Sequence, residues 1–158
     1  MADQVDGARN VDVGSVPYAD KEVLRRLIEF YIYDYSEYMG WDLDVHGIFG
    51  YRDLDHYWTE PDRHPFFITV EGRPAGFALV RSGVPHDMAE FFIMRKYRRK
   101  GIGTRAAQRV FERFPGAWEV RQMAANVAAT TFWRSAIPVH FDEEVRDGRP
   151  VQRFTMEG

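Results

Sequence analysis

Residues 89–104 have the sequence AEFFIMRKYRRKGIGT, which joins an apolar run to a basic loop that contains two glycines. The run Ala89–Met94 carries one charge, Glu90, and predicts a core strand. From Ile102 onward the apolar residues recur at helical spacing, which predicts an amphipathic helix. A β-rich segment at Ala117–Ala124 completes a strand, helix, strand unit, so these two strands are expected to be parallel.

The loop before this helix is a predicted anion site. Where a strand leads into a helix, several backbone N–H groups lack intrahelical acceptors and point outward with the positive end of the helix dipole. Gly101 and Gly103 leave room for an anion to approach those amides. Five cations between Arg95 and Lys100 would attract the anion, although the same run also fits a solvated surface loop.

The chain as a whole is not basic. Its 158 residues have a formal net charge of −3, whereas a nucleic-acid-binding domain usually has a basic balance. Acidity is also local, because eight Asp or Glu residues and one Arg lie between Asp34 and Asp62. We therefore expect no nucleic-acid partner, and the two oppositely charged regions suggest two different ligands.

The composition is typical of a single globular domain, since 45% of the residues are hydrophobic and 28% are charged. We expect a flexible tail at residues 1–8 and one domain at residues 9–158. There is no cysteine, and His46 and His56 have no third ligand at a suitable spacing, so no metal site is expected. No apolar stretch approaches the ~20 residues of a membrane span, so no membrane partner and a cytoplasmic location are predicted.

The remaining elements are a long helix, a shorter helix and several strands. Asp20 is the expected N-cap of the first helix, whose buried stripe contains Leu24, Leu27, Ile28, Tyr31, Ile32 and Tyr35. Asn126 is the expected N-cap of a helix that ends near Ser135. The further predicted strands are Asn10–Val13, Phe66–Val70, Ala75–Val80, Val139–Val145 and Val151–Met156, of which the last four form two hairpins.

Two motifs resemble a known family. Arg98–Gly103, with the sequence RRKGIG, matches the Arg/Gln-x-x-Gly-x-Gly/Ala signature of the GCN5-related N-acetyltransferases, the GNAT superfamily. Asn126–Trp133, with the sequence NVAATTFW, resembles the Asn-x-x-Ala-x-x-Phe-Tyr segment of that family. The two motifs occur in the family's order and on the expected elements, and together they cover roughly residues 89–136.

The resemblance implies an α/β (α+β) fold with a mixed, mostly antiparallel sheet of about six or seven strands and flanking helices. Its parallel fourth and fifth strands splay apart, and acetyl-CoA lies in the opening as co-substrate. The amides of Arg99–Thr104 would hold the pyrophosphate, and strand-end backbone groups would bind the pantetheine arm. The implied cofactor contacts are Ile93, Met94, Arg98, Arg99, Lys100, Gly101, Ile102, Gly103, Thr104, Asn126, Phe132 and Trp133.

The implied reaction is transfer of an acetyl group from acetyl-CoA to a primary amine by direct attack in a ternary complex. The Met94 amide is the expected donor to the oxyanion. Glu90 is the expected general base, because it is the only ionisable group inside an otherwise apolar strand that leads to the acetyl site. A purely structural role for Glu90, such as holding an arginine, is the alternative, and Glu119 is the reserve base.

The general acid is less well defined. Many family members have tyrosine where this chain has Trp133, and an indole N–H donates a hydrogen bond but delivers no proton at neutral pH. Either a hydroxyl of Tyr33, Tyr35 or Tyr38 acts as the acid, or the thiolate leaves unaided, since the pKa of a thiol is ~8.5.

The acceptor site is predicted between the first helix and the acidic, aromatic segment that follows it. Carboxylates beside aromatic rings suit a cationic amine, although the same residues also fit a role as core tyrosines and solvated caps. The candidate acceptor contacts are Tyr35, Tyr38, Trp41 and Asp42, with Asp44, Asp53 and Asp55 as further possible lining.

Two other functions fit the same sequence. One is a non-catalytic acyl-CoA sensor of the same fold, which the Trp133 substitution favours, and the other is a nucleic-acid binder that uses Arg95–Lys100. The partner of the enzyme would be a small-molecule or peptide amine, and a homodimer is possible. The sequence also allows a longer acyl donor than acetyl.

Overall fold

The computed structural model describes residues 10–158, so the predicted tail at residues 1–8 lies outside the described residues. The strands are β1 (Val11–Ser15), β2 (Arg63–Val70), β3 (Arg73–Arg81), β4 (His86–Ile93), β5 (Gly116–Arg121), β6 (Asp142–Arg146) and β7 (Arg149–Met156). The α-helices are α1 (Lys21–Met39), α2 (His56–Thr59), α3 (Ile102–Arg113) and α4 (Val127–Ala136). Two 3₁₀ turns, Tyr18–Asp20 and Arg95–Tyr97, precede α1 and α3.

The seven strands form one mixed sheet in the order β1-β2-β3-β4-β5-β7-β6. Every neighbouring pair is antiparallel except β4 and β5, which are parallel. The parallel ladder has only two residue pairs, His86 with Trp118 and Asp87 with Glu119, and the two strands diverge beyond them. The predicted mixed sheet with a splayed parallel pair is therefore confirmed.

Helices cover both faces of the sheet. Leu24, Leu27 and Ile28 of α1 pack in a cluster with Phe77 and Leu79 of β3. On the opposite face, Ala106, Val110 and Phe111 of α3 pack in a second cluster with Ala78 and Val80, the alternate residues of β3. Because helices cover both of its faces, β3 is a nearly continuous buried run rather than an alternating one.

The element boundaries differ from the predicted ones where polar residues join a strand. Strand β4 begins at His86 and not at Ala89, because Asp87 pairs with Arg81 in the antiparallel ladder with β3. Asp20 lies at the N-cap position of α1, but its side chain makes no capping hydrogen bond there. Asn126 does cap α4, since its side-chain oxygen accepts a hydrogen bond from the Ala129 amide at 3.1 Å.

Strand β3 approaches β4 unusually closely at Gly76. A Cβ at this position would lie 1.9 Å from the backbone oxygen of Phe92, so only glycine fits. The β3–β4 register also shifts by one residue between Leu79 and Val80, which leaves an irregularity in β4 near Ala89. The backbone of β4 on either side of Glu90 is therefore constrained by the close contact with Gly76 and by the irregularity at Ala89.

Candidate active site

The loop between β4 and α3 has the backbone geometry of an anion site. Arg99 and Gly101 have positive φ angles of 62° and 77°, which turn the chain sharply at the start of the helix. The amide of Arg105 donates to the carbonyl of Gly101 at 3.1 Å. The amides of residues 102–104 precede this bond and have no intrahelical acceptor, so they are oriented to bind an anion at the positive end of α3.

Gly103 allows α3 and α4 to come together at this opening. A Cβ on Gly103 would lie 3.0 Å from Cε1 of Phe132 and 3.5 Å from Cγ1 of Ile93. Phe132 stacks on Phe91 with a centroid distance of 5.7 Å, and Trp133 meets the edge of Phe91 at 5.1 Å. The opening therefore has an aromatic wall contributed by β4 and α4.

Arg98 and Arg95 are both tied to helix α1. Nη2 of Arg98 donates to Oδ2 of Asp34 at 2.7 Å, and Nη2 of Arg95 donates to Oδ1 at 2.8 Å. Nε of Arg98 also donates to the carbonyl of Ile93 at 2.7 Å. Partial burial would raise the pKa of Asp34, but the hydrogen bonds from the two arginines outweigh it and hold that pKa below its ordinary value. Two cations of the basic run are therefore neutralised within the protein.

A cavity of about 560 Å³ lies between the splayed strands and extends to this loop. Among the predicted cofactor contacts it is lined by Ile93, Arg98, Arg99, Gly101, Gly103, Thr104, Asn126, Phe132 and Trp133. Met94, Lys100 and Ile102 do not line it, and the side chain of Ile102 is fully buried in the core. The opening thus combines an anion site at one end with an apolar, aromatic wall along its length.

Glu90 is a partly buried residue of β4 that lies on the face of the sheet covered by helix α1. Its carboxylate accepts a hydrogen bond from the hydroxyl of Tyr31. Burial raises the pKa of Glu90 to about 7, with a smaller contribution from the charge of Asp87, while hydrogen bonds from Tyr31 and Tyr51 oppose the shift. A carboxyl group with this pKa exchanges protons readily at neutral pH, as a general base requires.

A second cavity of about 760 Å³ lies on the other side of Glu90, under α1 and the segment that follows it. Its aromatic wall is formed mainly by Tyr31, Tyr35, Trp41, Phe49 and Tyr51. Six residues line both cavities: Tyr31, Tyr35, Met88, Ala89, Glu90 and Arg121. The two cavities therefore meet at Glu90, and the smaller one extends from there to the anion site of the β4–α3 loop.

The sequence between α1 and α4 decides the family. Residues 22–136, well over half of the chain, match the Acetyltransferase (GNAT) family. The chain belongs to this family. No curated protein matches the chain.

Solved structures share the GNAT fold with this chain at low sequence identity. An acetyltransferase from Thermus thermophilus superposes with a TM-score of 0.72 at 18% identity, covering 93% of this chain and 97% of the other. The ribosomal-protein-S18-alanine N-acetyltransferase of Escherichia coli gives 0.67 at 13% identity, covering 94% and 96%. The PaiA N-acetyltransferase of Thermoplasma acidophilum, in complex with coenzyme A, gives 0.66 at 12% identity, covering 92% and 99%.

The prediction that the Met94 amide donates to the oxyanion is wrong. The amide of Met94 donates to the carbonyl of Ala75 at 2.8 Å and so faces β3, away from the opening. Because amides alternate between the two edges of a strand in an antiparallel ladder, those of Phe91 and Ile93 face the splayed side. These two amides are therefore the strand groups available to a ligand in the opening.

The contacts of Glu119, the reserve base, disfavour that role. Its carboxylate receives two hydrogen bonds from the guanidinium of Arg146, at 3.0 and 3.2 Å. These bonds hold the pKa of Glu119 below its ordinary value, although burial opposes them. A carboxylate neutralised in this way is a poor proton acceptor, so Glu90 is the base candidate that the geometry supports.

The predicted acceptor residues divide into two groups. Tyr35, Trp41 and Asp42 line the larger cavity, and Tyr35 and Tyr38 line the smaller one. Asp44, Asp53 and Asp55 line neither, since Asp44 accepts from the amides of His46 and Ile48, Asp55 pairs with Lys21 and Asp53 lies beside His56. Tyr33 is 65% exposed and lines neither cavity.

Several site residues were not predicted from the sequence. In the sequence, Tyr31 belongs to the buried stripe of α1, and no neighbouring residue indicates that its hydroxyl has a partner on β4. Arg52, Asp87, Arg121 and Arg149 also line the larger cavity, although they come from four separate segments. Only the packing of those segments brings them together.

Two features are absent from residues 10–158. No group of three or more His, Asp or Glu residues is placed there to hold a metal ion. No helix in the same range is both long and apolar enough to cross a membrane.

Proposed function

We propose that this GNAT chain is an N-acetyltransferase that transfers the acetyl group of acetyl-CoA directly to a primary amine in a ternary complex. The observation that carries the proposal is the meeting of two cavities at Glu90. A donor in one cavity and an acceptor in the other would come together beside a proton acceptor. No covalent enzyme intermediate is needed, because the two ligands share one junction.

The smaller cavity fits acetyl-CoA. The unpartnered amides at the start of α3 suit a diphosphate, and the left-handed turn at Gly101 has open space beside it for the approach. The apolar wall of Phe91, Phe132 and Trp133 suits the pantetheine arm. Bound there, acetyl-CoA supplies an activated acetyl group, and the amides of Phe91 and Ile93 would donate hydrogen bonds to its carbonyl oxygen as negative charge develops.

Glu90 is the proposed general base. An alkyl ammonium has a pKa of ~10 and must lose a proton before it attacks a carbonyl. Glu90, with a pKa of about 7, is largely ionised above neutrality and takes that proton directly or through one water. The hydrogen bond from Tyr31 fixes the carboxylate at the junction.

Tyr35 is the proposed general acid that protonates the departing thiolate. Of the three tyrosines considered from the sequence, it alone lines both cavities. Its ring packs against Tyr31 with a centroid distance of 4.8 Å, which fixes its position beside Glu90. A hydroxyl there can donate a proton, a role that the indole of Trp133 cannot fill.

Titration with acetyl-CoA, followed by a thiol-release screen over panels of amines, tests the proposal. We expect saturable binding of acetyl-CoA and amine-dependent release of CoA, with an N-acetyl product in mass spectrometry. Tight cofactor binding without release across broad panels would instead support the sensor function, which Trp133 in place of tyrosine favours. Nucleic-acid binding is not expected, because Arg95 and Arg98 are already paired with Asp34.

A further inference from the structure

Three arginines line the larger cavity: Arg52, Arg121 and Arg149. Within residues 10–158 none of them forms an ion pair, whereas Arg63, Arg81, Arg134 and Arg146 each have a carboxylate partner within 3.1 Å. The charge of Arg121 does act at longer range, since burial raises the pKa of Asp87 and the Arg121 charge opposes that rise. The cavity therefore concentrates guanidinium groups that have no direct partner in the described part of the chain.

The fold brings two of these arginines to the same end of a strand pair, where Arg121 lies opposite Val151, two residues from Arg149. Arg121 is the last residue of β5 and Arg149 is the first residue of β7, and the two strands pair in an antiparallel ladder. The amide of Gln122 donates to the carbonyl of Pro150 at 3.1 Å, which continues this pairing to the edge of the cavity. Arg52 reaches the same cavity from the segment between α1 and α2.

The charges that the strands contribute to the cavity are separated by sign, while Asp42 and Arg52 line it from the segment between α1 and α2. Glu90 and Asp87 lie on β4, whereas Arg121 and Arg149 lie on β5 and β7, on the other side of the splay. A guanidinium fork binds a carboxylate or a phosphate through two parallel hydrogen bonds. A cavity with carboxylates on one side and guanidinium groups on the other is complementary to a molecule that carries both an ammonium and an anionic group.

We propose that the acceptor of this enzyme is a small amine that also carries a carboxylate or a phosphate, with its ammonium at Glu90 and its anionic group at Arg149 and Arg121. This inference rests on the proposed acetyl transfer and specifies its substrate class. A second ammonium in place of the anion would meet the three arginines and be repelled. Polyamines and amines that lack an anionic group are therefore expected to be poor acceptors.

The test compares matched amines that differ only in the anionic group. The pairs are L-phenylalanine with phenylethylamine, β-alanine with propylamine, and phosphoethanolamine with ethanolamine, each assayed by thiol release from acetyl-CoA. In the wild-type protein we expect kcat/KM to be at least about tenfold higher for the member of the preferred pair that carries the anionic group. The pair with the largest ratio identifies the anion as carboxylate or phosphate.

Substitutions then assign this preference to the arginines. Arg149→Gln is expected to lower kcat/KM about 10- to 100-fold for the amine that carries the anionic group and less than about threefold for the partner that lacks it, because only the former loses a charge-assisted hydrogen bond. Arg52→Gln should change the two kcat/KM values in the same direction as Arg149→Gln but by a smaller factor. Arg73→Gln, an exposed arginine at the start of β3 that lines neither cavity, is the matched control and should change neither value.

Equal activity on both members of every pair, or an equal loss for both in Arg149→Gln, would overturn the inference. Thermal shifts of the CoA-loaded protein with the same pairs measure the preference without requiring turnover. Amines that carry the anionic group should stabilise the loaded protein and the partners that lack it should not, and the opposite order also contradicts the inference. Absence of thiol release with every amine would contradict the proposed transferase function instead.

Discussion

Tyr31 on helix α1 donates a hydrogen bond to the carboxylate of Glu90 on strand β4. The ring of Tyr31 is itself fixed by edge contacts with Phe77 at 5.5 Å and Phe92 at 5.9 Å. This contact joins α1, which covers the larger cavity, to β4, which borders the smaller one. The two residues thereby hold the junction of the two cavities in one position.

Glu90→Gln should abolish most of the transfer activity. The amide keeps the size of the side chain and an oxygen that accepts from Tyr31, but it takes no proton from the ammonium. We expect kcat to fall about 100- to 10,000-fold, the usual contribution of a general base, with the Kd for acetyl-CoA unchanged in calorimetry. Glu119→Gln is the control and should remain within about threefold of wild type; an active Glu90→Gln enzyme would refute the assignment.

The pH dependence of the reaction should report Glu90. Because the base must be ionised, kcat/KM should rise with pH through an apparent pKa of about 7, the raised value of Glu90. The hydrogen bond from Tyr31 lowers that pKa, so Tyr31→Phe should move the rising limb to higher pH. Loss of activity at all pH values with an unmoved limb would indicate a purely structural role for Tyr31.

Tyr35→Phe separates the general acid from the general base. If Tyr35 protonates the departing thiolate, kcat with acetyl-CoA should fall about 10- to 100-fold, while the rising limb set by Glu90 stays in place. Tyr33→Phe is a matched control on the same helix, since Tyr33 is mostly exposed and lines neither cavity. Equal rates in the wild type and in Tyr35→Phe would mean that the thiolate leaves unaided.

The sequence was sufficient for features that depend on neighbouring residues. The periodicity from Ile102 and the cap at Asn126 are local, and both helices begin where they were predicted. The predicted role of Met94 was wrong because the register between two strands decides which strand edge an amide faces. Here the Met94 amide faces β3 and bonds to the carbonyl of Ala75. Register depends on the partner strand, which the motif itself does not contain.

The larger cavity, the proposed acceptor site, was harder to predict for the same reason. Its acidic segment was expected to contribute carboxylates generally, but Asp44 and Asp55 serve the local structure by capping a turn and pairing with Lys21. Arg149 lies beside a turn, where an arginine in the sequence indicates only a solvated position. Its place at the cavity follows from the pairing of β7 with β5.

Gly76→Ala should destabilise the protein strongly, although the substitution adds only one methyl group. The added Cβ would lie 1.9 Å from the backbone oxygen of Phe92, and only a shift of β4 relieves that contact. We expect a loss of about 3 kcal/mol in the free energy of unfolding, at the upper end of overpacking effects, measured by urea denaturation. Gly14→Ala is the control, because no heavy atom lies within 4 Å of a Cβ there and stability should change little.

The two-residue ladder between β4 and β5 leaves the sheet divided into two leaves, one of four strands and one of three. Beyond Asp87 and Glu119 the facing backbone edges share no rungs, so an elongated ligand seated between them takes the place of a missing strand. Its occupancy should couple the leaves mechanically. Hydrogen-exchange protection of Phe92 and Val120, whose amides face β3 and β7, would then rise in parallel as coenzyme A is added, because the two leaves would open as one cooperative unit.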